Sequence, residues 1–228
     1  MSDGIAGYGR VVLEVTRKDL LIELRSKHVL NTAVVFALLV VVIFAFSFAR
    51  SFTDVGVVGS GALWIAFVFA GTFGVSQSAA TEVEYAGLDG LLLVPVDRSA
   101  IYVGKVVSNT VFTTGVAFVT LCCTVVFLGF SVALETVPVL LVVFLLAAFG
   151  FTSTGVLIAT ITARARLREL LLPLLLVPLV VPVLLAGVEL TRMLTEGHLS
   201  WQWFQLLLVY DGLLFLTGVA TFEYVVEG

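Results

Sequence analysis

Apolar residues run through this chain in six long blocks, divided by short polar stretches. Val29 to Ala49 carries only Asn31, Thr32 and Ser47 as polar residues, and Val55 to Thr81 has no charge and holds a second block at about 57–79. Val106 to Leu134 and Thr136 to Ala163 are uncharged, Leu170 to Val188 follows, and Leu199 to Val226 is interrupted by Asp211. About 20 helical residues at a rise of 1.5 Å cross a hydrocarbon core of roughly 30 Å, so each block predicts one membrane span. A spanning backbone has to satisfy its own hydrogen bonds in lipid, so the pattern predicts an all-α membrane protein with six transmembrane helices.

Ahead of the first block, residues 8–28 (YGRVVLEVTRKDLLIELRSKH) place Leu13, Leu20, Leu21 and Leu24 at helical spacings. Glu14 with Lys18 and Glu23 with Lys27 form i,i+4 pairs in the favourable order. With Arg10, Arg17, Lys18, Arg25 and Lys27 the segment is basic, and it reads as an amphipathic helix lying on an anionic membrane surface. The chain therefore divides into an N-terminal arm, 1–28, and a six-span region, 29–228.

Between the second and third blocks lies a polar island, EVEYAGLDGLLLVPVDRSAIYVGK, from Glu82 to Lys105, within a loop at 80–105. Glu82, Glu84, Gly87 and Asp89 precede an apolar run that includes Leu92 and Leu93 and stops at Pro95, which removes a backbone donor and ends any helix there. Such a segment suits docking on another protein, and equally suits lying on lipid headgroups. Asp97 or Ser99 is positioned to cap the third span.

Charge fixes an orientation. With the N-terminus inside, Arg10, Arg17, Lys18, Arg25, Lys27, Arg98, Lys105, Arg164, Arg166 and Arg168 fall inside, and Arg50 and Arg192 outside. Ten against two is a strong positive-inside bias, which predicts cytoplasmic termini and a cytoplasmic island. The Arg164, Arg166, Arg168 and Glu169 corner is explained by this topology signal or by docking to a partner.

Two blocks have unusual content. The fifth holds Pro173, Pro178 and Pro182, which predicts a kinked packing helix, a hinge, or a span that breaks short of the outer surface; the hinge is the favoured expectation. The stretch Glu189 to Trp203 after it predicts one or two short interfacial helices, with Trp201 and Trp203 in the aromatic belt. In the sixth block Asp211 is an ionisable residue well inside a span, read as an ion relay or as an interhelical tie to a Ser or Thr. Gly71, Gly74 and Ser78, and again Gly150, Thr154 and Gly155, offer small faces for close helix approach.

Composition agrees with a bilayer setting. The 228 residues are 60% hydrophobic and 12% charged, with a mean hydropathy of +1.16. The polar, glycine-rich first ten residues and the long first block predict no cleavable signal peptide. Cys122 and Cys123 are adjacent in an apolar block and read as packing residues. The Gly104-Lys105 pair lacks both the upstream glycine and the following Ser or Thr of a phosphate loop, so ATP is not expected to bind in this chain. No CxxC, HExxH or GxSxG pattern occurs, and with only His28 and His198 a histidine-rich metal site is excluded. His198, beside two tryptophans, reads first as a solvated residue and second as a metal or haem ligand.

A basic N-terminal helix, six spans and an island between spans two and three resemble the permease subunits of ABC exporters of the ABC-2 type. The stretches 17–46, 61–78, 162–189 and 210–228, among them RKDLLIELRSKHVLNTAVVFALLVVVIFAF and YDGLLFLTGVATFEYVVEG, resemble the haem exporter protein B family, CcmB, the permease of cytochrome c maturation. The resemblance implies that Glu82 to Pro95 contacts a separate ATPase subunit, and that the Arg164–Glu169 corner, the proline-rich span and Asp211 belong to the working parts. It implies a haem-handling C subunit and a small D subunit as partners, leaves a homodimer open, and makes haem a cargo with no tightly bound cofactor in this chain. Three readings follow: an ATP-driven haem permease, a membrane platform that passes ATPase motion to the haem-handling subunit, and an ABC-2 exporter of a lipid or drug.

Overall fold

A computed structural model describes residues 2–26, 28–48, 55–84, 96–130, 133–163, 165, 167–198 and 200–227. The protein is all α-helical among these residues. The seven helices are α1 (Ser2–Ser26), α2 (His28–Phe48), α3 (Val55–Glu84), α4 (Arg98–Leu128), α5 (Val137–Thr162), α6 (Arg168–Thr195) and α7 (Trp201–Glu227). The helices α2 to α7 are each long and apolar enough to cross a membrane, so this is a multi-pass membrane protein with six spans.

Local chemistry sets several of the ends. Asp97, with extended backbone, caps α4 by accepting from the Ser99 amide at 2.9 Å. Gly129, in the left-handed region at φ 67°, closes the same helix. Pro138 sits in the first turn of α5, where its missing amide is no loss. At the end of α6 the His198 amide donates to the Met193 carbonyl at 2.9 Å and the Gly197 amide to Leu194 at 3.2 Å, with Gly197 at φ 79°. This is a glycine stop of the Schellman type.

That stop corrects one expectation. Residues 189–195 are not short interfacial helices. They continue α6, stiffened by Arg192, which pairs with Glu189 at 2.9 Å and Glu196 at 2.7 Å. Nor does α6 break: it runs as one helix through Pro173, Pro178 and Pro182. Its 28 residues exceed the hydrocarbon thickness, so the ends protrude or the helix tilts.

The core lies between α3, α5 and α6, where Leu63, Phe67, Phe144, Phe151, Leu176, Val183 and Leu190 are buried. The α7 helix covers α5, α1 lies along the first turns of α4, and α2 covers α3 and α4. The small residues receive side chains rather than a second backbone. Gly71 accepts the Phe151 ring, Gly74 the Phe112 ring, and Gly155 takes Val75. Hydroxyls in the spans are satisfied mostly by the carbonyl one turn back, as for Thr120, Thr124, Thr162 and Thr191.

Candidate functional site

Among the described residues, three arrangements in the bundle stand out for their polar chemistry: a junction of α1 with α4, a carboxyl inside α7, and a pin on the proline-rich α6.

The junction begins at the α4 cap. Ser99 Oγ lies 3.1 Å from the Tyr8 hydroxyl, and Thr16 Oγ1 donates to the Gly104 carbonyl at 3.0 Å. Gly104 is required there, since a Cβ would come within 2.8 Å of Val15 and 3.1 Å of the Val12 carbonyl. One residue on, Lys105 Nζ lies 3.7 Å from Asp19, which also meets Lys18 at 3.1 Å. Lys105, Asp19 and Glu23 are all buried. The inward face of α1 is therefore a mixed one, Val15, Thr16, Asp19 and Glu23, while Leu13, Leu21 and Ile22 stay exposed. Leu13 and Leu21, from the leucine spacing, are not what packs on the protein. Lys105 likewise is not the edge of a loop; it sits two turns inside α4.

Burial, and then the neighbouring Asp19 charge, push the Glu23 carboxyl up to about 8. A carboxyl raised in the folded protein stabilises it fully below its ordinary value near 4.5 and loses that contribution as pH climbs to about 8. The docked α1 is thus expected to loosen between these values. Thermal midpoints of purified protein in nanodiscs should fall across this window, and Glu23→Gln should flatten the fall. An equal slope in both proteins would remove Glu23 as its source.

The second arrangement is Asp211, 2% exposed. The expected tie to a Ser or Thr is not formed: among the described residues neither carboxylate oxygen has a hydrogen-bond partner. The carboxylate instead sits against Gly150 of α5, where any Cβ would overlap Oδ1.

The third is Trp64 of α3. Its indole Nε1 donates to Thr191 Oγ1 at 3.0 Å, and its ring occupies the place of a Cβ on Gly187. Phe67 and Phe144 hold the other sides, with ring centroids at 4.9 and 5.9 Å. Above the prolines, therefore, α6 is fixed to α3. Beside them, Tyr210 of α7 donates to the Leu179 carbonyl at 2.9 Å.

At the α1 end, a cleft of about 290 Å³ lies between α3, α5 and α6, lined by Phe73, Ser76, Gln77, Thr162 and Leu172. Among the described residues no group of three His, Cys, Asp or Glu side chains gathers to hold a metal ion.

A family profile described as CcmB protein matches residues 10–223. The chain belongs to the CcmB family. A relative, heme exporter protein B of Rhodobacter capsulatus, is 29% identical over 184 residues, which is 79% of this chain and 82% of the relative. The CcmB match covers the 82–95 segment, the Arg164–Glu169 corner and, Tyr8 apart, all three arrangements.

Among the residues singled out in the CcmB chain, Glu82 and Glu84 form the last turn of α3, and Arg168 and Glu169 the first turn of α6, described for their backbone. Gly87, Asp89, Leu92, Leu93, Pro95, Arg164 and Arg166 lie outside the described residues. His198 is exposed beyond α6, and Trp201 stacks on Phe204 at 5.7 Å. Asp19, Trp64 and Tyr102, whose hydroxyl donates to the Ser153 carbonyl at 2.8 Å, were not singled out from sequence. Asp19 and Tyr102 offered a local signal, a charge and a phenol beside apolar positions, but their partners lie on other helices.

Proposed function

We propose that this chain is the membrane permease subunit of a haem exporter, worked by an ATPase carried on a separate subunit through the segment from Glu82 to Pro95. The observation that carries the reading is the CcmB match over 10–223, joined by the name of the Rhodobacter capsulatus relative. The helices on either side of the segment support the coupling. The α3 helix ends at Glu84 and α4 begins at the Asp97 cap, so a push on the segment moves two spans at once. The α1 helix is bonded to the first turns of α4 beside it. The Arg164–Glu169 corner connects α5 to α6 and offers a second contact with the ATPase. Lys and Arg concentrate on this side, which makes it cytoplasmic, with both termini.

In this reading Pro173, Pro178 and Pro182 let the inner half of α6 bend while the Trp64 pin holds the outer half. Large side chains fill the middle of the space between α3, α5 and α6, beyond the cleft at its α1 end, so haem, a flat hydrophobic cargo, travels along an outer face shared with a second copy or with the haem-handling C and small D subunits. The filled interior also favours a second reading, in which the bundle passes ATPase motion to the C subunit and carries nothing itself.

The test is a pull-down of the tagged chain from native membranes in mild detergent, with mass spectrometry and a Soret-band scan. Wild type should bring an ATPase and a haem-handling partner. The Glu82→Lys/Glu84→Lys double variant reverses the charge offered to the ATPase, and should lose most of it at an unchanged yield of the chain itself. ATPase recovered in full by the double variant would overturn the docking assignment. Stoichiometric haem on the wild-type complex would favour passage over the platform.

A further inference from the structure

Asp211 stands apart from the other polar side chains of the spans. Ten residues into α7, it lies about 15 Å from the helix start, near the middle of a bilayer. It is 2% exposed, and neither carboxylate oxygen has a hydrogen-bond partner among the described residues. Its seat is Gly150, where even one methyl group would strike the carboxylate. The α5 helix therefore leaves room for this carboxyl while supplying it with no donor.

Among the described side chains, no charge faces it from the helices packed on α7. The α5 helix has no ionisable residue from Val137 to Thr162. The α6 helix has none from Leu170 to Val188, and its Arg192 is engaged by Glu189 and Glu196 beyond that stretch. The α4 helix brings Arg98, Tyr102 and Lys105 in its first two turns, with Tyr102 given to the Ser153 carbonyl and Lys105 to Asp19 of α1. Its Cys122 and Cys123 lie toward the far end, exposed and half-buried. On α7 itself Tyr210 donates to Leu179, and Glu223 and Tyr224 are exposed more than two turns away.

An ionised carboxylate in such a place, without donor or counter-charge, is far more costly than the neutral acid. We propose that Asp211 is a proton-binding site. The carboxyl is held as the neutral acid while α7 packs on α5, and it yields its proton to water, leaving a carboxylate, when the two helices part at Gly150. One proton leaves per separation, so parting of α5 and α7 becomes easier as pH rises. The inference concerns the carboxyl alone and stands whether or not the chain handles haem.

Infrared spectroscopy of the purified chain, with its co-purifying subunits, in lipid nanodiscs in D2O reads the acid directly. The background is Glu23→Gln, which removes the α1 carboxyl that burial pushes up to about 8. At neutral pH the protein should show a carboxylic C=O band that Asp211→Asn lacks. Gly150→Ala, whose new methyl displaces the carboxyl, should lose most of that band. Should Asp211→Asn fail to fold, aspartate carrying heavy carbon at its carboxyl, in a protein also carrying Asp19→Asn/Lys105→Met to remove the other buried aspartate, assigns the band by shifting it. Absence of an aspartic C=O band at neutral pH overturns the site. A band left whole in folded Gly150→Ala overturns the link to helix separation.

Discussion

Lys105→Met is expected to detach α1 from the bundle. Lys105 and Asp19 are both buried, and Glu23 lies one turn beyond Asp19 on the same helix. Removing the cation leaves the buried Asp19 carboxylate beside a second acid, with the partly exposed Lys18 at 3.1 Å offsetting only part of the loss. Breaking a buried ion pair from one side typically costs about 3–5 kcal/mol, most of it the penalty on the charge left behind. What remains is the Val15 packing on Gly104 and two polar contacts, Thr16 to Gly104 and Tyr8 to Ser99, each bond worth only about 1 kcal/mol net, so the docked helix should be held far less firmly. The exposed Arg17 and Arg25 of the released helix should then be cut by trypsin within times that leave wild type intact. The double variant Asp19→Asn/Lys105→Met removes both charges and should recover much of the loss, because its effect is strongly non-additive. Equal trypsin resistance in wild type and Lys105→Met would show that the pair holds nothing.

The Lys105 position also shows where sequence reading works in this chain and where it stops. The six spans, their order and the Asp97 cap are legible because each rests on local signals: run length, and a side chain two residues from the amide it accepts. The α1 junction is not local. Thr16 and Gly104 are 88 residues apart, and nothing in either neighbourhood announces the other. The exposure of Leu13 and Leu21 on α1 has a physical reason. In water the apolar face of a helix is the one that packs. Beside a lipid phase it can remain outside, and a mixed face, here Val15, Thr16, Asp19 and Glu23, then carries the contacts with the protein. The same logic made Lys105 look like a boundary residue, since a lysine beside an apolar run is read as an interface marker unless its counter-ion is known. Asp211 was singled out because an acid within a span is conspicuous, but its seat on Gly150 depends on two helices meeting. The end of α6 was within reach: a glycine at 197, just past a turn containing Arg192, is a readable stop.

Trp64→Ala is expected to be the most disruptive substitution in the outer half of the bundle. The indole is 3% exposed, fills the space over Gly187, edges onto Phe67 and Phe144, and donates to Thr191. Truncating a buried tryptophan to alanine typically costs about 3–5 kcal/mol through lost contacts and the cavity that remains. Two backbones cannot close that cavity easily, because α3 and α6 are each spanning helices fixed by other neighbours. Thr191 keeps its bond to the Gly187 carbonyl and is not left unsatisfied, so packing dominates the loss. Trp64→Phe, which keeps much of the ring and loses the donor, should therefore cost less. Gly187→Val attacks the same contact from the other side: its side chain overlaps the indole, and overpacking of this kind costs about 1–3 kcal/mol. Thermal midpoints in nanodiscs should fall in the order Trp64→Phe, Gly187→Val, Trp64→Ala. The functional consequence follows from the prolines. With Trp64 in place, bending of α6 is confined to the stretch from Pro173 to Pro182. Without it the outer half moves too, and motion fed in at the inner end no longer arrives as a defined displacement. A Trp64→Ala protein that still matures cytochrome c at the wild-type rate, at equal abundance, would show that α6 needs no fixed outer half.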